Sequence, residues 1–442
     1  MHVFGSAHRA AELNIAVVLS LLRFPSPGPS AAAALAAVTL AVGACSSGNG
    51  DRDHGPTVGP LPLRDGGRSD GGEDDDGGLE DGGRPDGEAG APGCASGTVA
   101  LVAGDDGSLG GAVQVRGGAW TVASIAGGAA RSKPALVPYG AGFLAVVHGA
   151  GDALQTTTYG ASWSAPATFG TANVKGAPSL AVLGPNAHLV YSAGPNANRD
   201  YFHGIHDGNA WNAATAKVGP GPFSFGTVSA GLAARDNQLV FAENGRDNGM
   251  YVSTFNDGAW SGGMGVNGIG TIGANPPATP ELVALEGKYD LALIFSWKDE
   301  QPEPKRISSA LHVRGTDIKD WKVLRQIHPD AVTEEKLAVT AIAGGRLVVT
   351  YRPAGSTTSV YSIGTIKEDD TIAWTAPVAF GGAAPIKADS TAAVAPGVCG
   401  DAAIAAYASE NAIFVTRLRG GTWTAPEPLP ALVGRRVAIS TR

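Results

Sequence analysis

Seven short apolar runs recur along the chain, each bounded by Gly, Asn, Asp or Pro: VALV (99–102), FLAVV (143–147), HLVY (188–191), QLVF (238–241), LALIF (291–295), LVVTY (347–351) and IAAY (404–407). They are rich in β-branched and aromatic residues, which predicts strands. They do not alternate with polar residues, so each strand is expected to be covered on both faces. A polar-alternating stretch follows each run, such as DALQTTTYG (152–160), and then a Trp. A further strand precedes each run, such as PSLAVL (178–183). No long segment after residue 45 shows an apolar period of 3.6 residues. The pattern predicts an all-β chain of repeated four-stranded units.

The Trp residues give the period. Setting Trp297 aside, they fall at Trp120, Trp163, Trp211, Trp260, Trp321, Trp374 and Trp423, at intervals of 43, 48, 49, 61, 53 and 49 residues. A period near 50 is that of propeller blades. Four of these Trp follow a Gly by three positions, Gly117, Gly160, Gly208 and Gly420, and a hydroxyl residue follows the Trp in GASWSAP (160–166), IAWTAP (372–377) and GTWTAP (421–426). A tight turn followed by an aromatic on an outer strand accounts for this. Seven equivalent Trp are expected to serve structural packing, because a ligand site rarely needs seven copies. The first repeat lacks its inner strand, and one extra strand, Arg436–Thr441, follows the last Trp. That strand is expected to complete the first blade and close a seven-bladed β-propeller. Closure leaves only short, protected strand edges.

Charge separates the N-terminal part from the rest. Net charge is −8. Residues 46–93 hold twelve Asp and Glu against four Arg and are otherwise mostly Gly and Pro, so residues 94–442 are close to neutral. The acidic segment has too little apolar surface to offset its ordering entropy, and a disordered linker over 45–93 is expected. A near-neutral propeller gives no basic patch for nucleic acid. Upstream, the apolar run from Ala31 to Ala44 is too short to span a bilayer and suits the core of a signal peptide over 1–44. Its end, Val42-Gly43-Ala44-Cys45, resembles the lipobox of bacterial lipoproteins. The resemblance implies a lipidated Cys45, an outer-membrane address and contact with the membrane through the lipid anchor alone. A Gly/Asp-rich tether after a lipobox is similar to surface lipoproteins of myxobacteria. Cys94 and Cys399 remain, and an oxidising compartment favours a disulfide between them. Both precede the apolar run of their blade, in blades that become neighbours on closure.

The Trp-Ser/Thr-x-Pro pattern at blade spacing resembles the fucose-binding propeller lectins. The turns Gly160–Trp163 and Gly420–Trp423 resemble the end of the Asp box of sialidase-like propellers, with Thr158 and Leu418 where the Asp would stand. The resemblance implies a surface-tethered module that binds a glycan or a partner protein without catalysis or cofactor, as a monomer. The alternative is an exo-acting glycoside hydrolase or lyase on the same fold. Glycosidase chemistry needs two carboxyls roughly 5–10 Å apart, and Glu243, Asp299 and Glu300 are expected in loops. No Arg triad of the sialidase kind is identifiable.

The ligand site is expected on the face formed by the loops after the apolar runs and the loops joining successive blades, around the axis. The fifth repeat is the longest, and its insertion SWKDEQPEPKR carries Trp297. Trp297, Glu243 and Arg352 end the apolar runs of three successive blades and are expected to converge on one rim. Arg199 and Arg246, each followed by Asp, are expected as outer contacts. Two other motifs are set aside. GIGTIG (268–273) matches a dinucleotide pattern but runs into prolines that forbid the required helix. His203 and His206 fall three apart on a strand, on opposite faces, and do not share a metal.

Overall fold

The computed structural model describes residues 97–170, 173–194, 200–218, 230–244, 249–267, 280–297, 305–333, 337–380, 386, 390, 392–409 and 412–442. The expected signal peptide and linker, residues 1–93 with Cys45, and residues Cys94, Arg199, Arg246, Asp299, Glu300 and the GIGTIG glycines lie outside them.

Among the described residues the strands form seven antiparallel sheets of four or five strands. The chain is a seven-bladed β-propeller. The inner strands are Arg436–Thr441 (blade 1), Ala135–Tyr139 (blade 2), Val174–Leu183 (blade 3), Gly231–Arg235 (blade 4), Glu281–Ala284 (blade 5), Ala338–Ile342 (blade 6) and Ala393–Pro396 (blade 7). Each touches the next, and blade 7 returns to blade 1, so the ring is closed. The C-terminal strand pairs with Thr98–Asp105, Thr441 opposite Val99 and Arg436 opposite Gly104. This is the closure expected from the missing first strand.

Each apolar run is the second strand of its blade, with Ile, Leu, Val and Ala on both faces buried against the flanking blades. Leu291, Leu293 and Phe295 pack with Val240 and Ala242 of blade 4, while Ala292 and Ile294 pack with Leu347 and Val349 of blade 6. The seven repeated Trp sit at the same interfaces, each against the preceding blade. Trp211 stacks on Phe169 of blade 2 with ring centroids 4.6 Å apart, and Trp423 meets Phe380 of blade 6 edge-on. Trp163 lies on Gly111 of blade 1, where a Cβ would come within 2.2 Å of the indole nitrogen.

The hydroxyl after the Trp has its own role. The Oγ of Ser164 accepts the Thr158 N–H at 3.0 Å, and those of Ser261, Thr375 and Thr424 accept the N–H of Thr254, Ile363 and Arg417 at 2.9, 2.9 and 3.1 Å. These side chains replace ladder bonds where the outer strand breaks before Ala-Pro or Gly-Gly. In blades 4, 6 and 7 the outer strand then resumes as a short second piece, at Met264–Gly265, Val378–Ala379 and Glu427–Leu429. The Trp-hydroxyl repeat is therefore an inter-blade plug joined to a strand-break cap.

Candidate functional site

Strand direction gives the ring two unlike faces. Inner strands start and second strands end on one, called here the mouth face. The hairpins from first to second strand and the Gly-x-x-Trp turns lie on the other. The main chains of Thr98 and Arg442 are joined there by two 2.9 Å hydrogen bonds, so both ends of the propeller lie on the face opposite the mouth.

The axis opens on the mouth face as a cavity of about 240 Å³, lined by residues of all seven inner strands or of the segments leading into them. That volume lies just below the usual small-ligand range of roughly 300–1,000 Å³. Alanines from six of the blades contribute to the lining: Ala135, Ala177, Ala230, Ala338, Ala393 and Ala438. The charged lining residues are Lys133, leading into blade 2, and Glu281, at the start of blade 5. Those blades face each other across the ring, and Lys133 Nζ donates to Glu281 Oε1 at 3.2 Å. The ion pair is a bar over the mouth. Both side chains are about a quarter exposed. Ser179 adds a hydroxyl that donates to the Ala230 carbonyl at 2.5 Å and ties blade 3 to blade 4.

A second charged group lies beside the bar. Asp152, with a left-handed φ of 56°, accepts from Arg131 Nη1 at 2.9 Å and Lys175 Nζ at 2.7 Å, and meets His148 Nε2 at 3.3 Å. The Lys175 hydrogen bond, with those of His148 and Arg131, pulls its carboxyl down to about 2. Burial holds His148 below the usual imidazole value, against the opposing pull of Asp152. Arg436, the first residue of blade 1's inner strand, donates to the Ala130 carbonyl at 2.6 Å and to Asp106 at 3.2 Å.

The residues expected from the sequence take other places. Glu243 is in the second strand of blade 4, Gln238–Asn244, rather than in a loop, and it is 7 % exposed. Strand alternation turns it toward blade 3 and Tyr201. Its Oε2 is buried without a partner, and burial raises the carboxyl to about 8. Arg352 follows the second strand of blade 6, Arg346–Tyr351, half-buried, and its carbonyl accepts from Thr333 Oγ1 at 2.7 Å. Trp297 ends Tyr289–Trp297 in blade 5, opposite Arg306. All three backbones stand on the mouth face, in blades 4, 5 and 6, with Glu243 and Arg352 two blades apart. His203 stacks on His188 with nitrogens 3.0 Å apart, while His206 meets Tyr139. The two histidines of the HGIH segment thus face different neighbours. Cys399 occupies the turn between the first two strands of blade 7, on the face that carries the termini.

Sequence reasoning missed Lys133, Lys175, Glu281 and Asp152. The available signal was positional: R-S-K-P (131–134), N-V-K-G (173–176) and G-R-R-V (434–437) each place a cation where an inner strand begins.

No family model matches this chain, and no curated protein does. Solved structures similar to it include AofleA from Arthrobotrys oligospora, at TM-score 0.46 and 14% identity, over 70% of this chain and 88% of that one. The fucose-specific lectin from Aleuria aurantia gives 0.44 and 15%, over 64% and 91%. The NanB sialidase from Streptococcus pneumoniae gives 0.42 and 11%, over 66% of each. A fucose-specific lectin and a sialidase, the two groups the Trp motifs resemble, are thus among the similar structures.

Proposed function

We propose that the propeller is a glycan-binding module whose ligand enters the axial cavity at the mouth face. The observation that carries this reading is the opposed pair Lys133 and Glu281 over a cavity built from all seven blades. A saccharide offers hydroxyls that both donate and accept. It can exchange one direct ion pair for donors from Lys133 and acceptors on Glu281, so neither charge is left unpaired. Small alanines leave room for a ring beneath. Binding is favoured over hydrolysis because Glu281 is the one carboxylate among the described lining residues, and glycoside hydrolysis works with two.

The lipid anchor on Cys45 and the outer-membrane address belong to the same proposal. They are supported by the Val42–Cys45 pattern and by the start of strand Thr98–Asp105 on the face opposite the mouth. Mass spectrometry of the native protein is expected to show a lipidated N-terminal Cys45.

A glycan array run beside a panel of chromogenic glycosides tests the main reading. Selective retention on the array without turnover is expected, weakened about tenfold or more by Lys133→Ala or Glu281→Ala. Turnover of a glycoside, or retention unchanged in both variants, would overturn it.

A further inference from the structure

The charges around the mouth are not evenly placed. Three consecutive inner strands begin there with a cation: Arg436 in blade 1, Lys133 just ahead of blade 2's strand, and Lys175 as the second residue of blade 3's strand. Arg131, two residues before Lys133, adds a fourth. The inner strands of blades 4, 6 and 7 begin with Gly231, Ala338 and Ala393, and that of blade 5 with Glu281. Among the described residues, the inner strands of blades 1 to 3 therefore start with cations along one arc of the mouth, and those of blades 4 to 7 start with small or acidic residues. The propeller as a whole is close to neutral, so the arc is local.

The arc keeps donors in reserve. Lys133 spends one N–H on Glu281, Lys175 one on Asp152, and Arg131 one Nη on the same carboxylate. An ammonium carries three N–H groups and a guanidinium five. Between Arg131 and Lys133, Ser132 is 8 % exposed, and its hydroxyl has no partner. Asp106, Asp152 and Glu281 together leave one positive charge over against Arg131, Lys133, Lys175 and Arg436.

We propose that this arc makes the mouth selective for saccharides carrying an anionic group, a carboxylate or a sulfate. The anionic group seats on Lys133 and Lys175, displacing Glu281 from Lys133, while the ring occupies the axial cavity. This inference rests on the glycan reading above. Two charge-assisted hydrogen bonds to a partly buried anion are expected to favour the charged member of a matched pair by tenfold or more. Screening with a Debye length of roughly 8 Å at physiological ionic strength reduces that preference as salt rises.

The test is calorimetric titration of the full chain with methyl glucoside, methyl glucuronide and glucose 6-sulfate, at low and high salt. Tighter binding of either anionic sugar, lost in Lys133→Gln/Lys175→Gln and retained in Lys133→Arg, supports the proposal. The stronger of the two anionic arms tells carboxylate from sulfate. Thermal unfolding of each variant confirms that the propeller is intact. Arg346→Gln, on the opposite face, is expected to change nothing. Equal or tighter binding of methyl glucoside overturns the anionic preference and leaves the glycan reading standing. Binding of none of the three sugars, together with an empty glycan array, overturns the glycan reading and this inference with it.

Discussion

Glu243 offers a test whose size and pH window both follow from the structure. Its side chain is buried between blades 3 and 4, and Oε2 meets no donor. Burial raises the carboxyl from 4.5 to about 8, so the folded protein holds it neutral at pH 7. The unfolded chain ionises the same group near its ordinary value. Between those two values the unfolded state has released the one proton that the folded state keeps. Stability from this group is therefore whole below pH 4.5 and falls as pH rises toward 8. At pH 7 the loss spans 2.5 units at 1.36 kcal/mol each, about 3 kcal/mol, rising to about 5 kcal/mol above pH 8. Glu243→Gln keeps the shape and removes the titration. With an unfolding entropy of about 2.1 cal/mol/K per residue over about 350 residues, 3 kcal/mol corresponds to about 4 °C in Tm. The assay is thermal unfolding of both proteins by circular dichroism from pH 4 to pH 9. The Tm gap in favour of Glu243→Gln is expected to widen with pH and then level off above pH 8. A gap that stays constant across the range would refute the buried neutral acid.

Three further predictions use other parts of the ring. The His188–His203 pair is held at about 4 by burial, so stability should fall as pH drops from 6.5 toward 4. His203→Phe should flatten that acid limb in the same melts, and an unchanged limb would exclude the pair as its origin. Trp211→Ala removes the stack on Phe169 and should cost about 3–5 kcal/mol with glycan retention unaltered. Loss of binding in a folded Trp211→Ala protein would make this Trp a ligand residue after all. Cys94 and Cys399 are predicted to form a disulfide, since the Cys399 turn lies on the face where strand Thr98–Asp105 begins. Unreduced denatured protein should yield no free thiol from either, and two reactive thiols would rule the bond out. The bond would close a loop of roughly 300 residues and contribute about 5 kcal/mol at most in the chain-entropy treatment.

The fold was legible because each blade repeats the same physical problem. A second strand pressed on both sides must be apolar throughout, and an outer strand that breaks before Ala-Pro needs a hydroxyl to cap the neighbouring N–H. Those demands left the runs at 143–147 or 347–351 and the hydroxyls Ser164, Thr375 and Thr424 visible in the sequence. The missing first strand and the extra strand Arg436–Thr441 gave the closure for the same reason. The site was less legible. Glu243 reads as a loop residue because it is acidic and follows an apolar run. The strand instead continues through Asn244 and buries it. The pairing of Lys133 with Glu281 joins residues 148 apart in sequence, and no local pattern announces it.

The repeat and the site obey different constraints, and this explains why the mouth can carry charge. Most positions along a blade are squeezed between two sheets, where an unpaired charge costs several kcal/mol after relaxation. Glu243 meets that condition and gives up its charge. The first residues of the inner strands are different. Lys133 and Glu281 line the channel there and are about a quarter exposed. Charge there is inexpensive for the fold, so its distribution is free to differ from blade to blade while the Trp plug stays fixed. A cationic arc over blades 1 to 3 and an acid from blade 5 give a sevenfold scaffold one polar direction across its axis. A single asymmetric ligand in the axial cavity is then oriented by that direction. Seven equivalent sites between the blades would have no use for it.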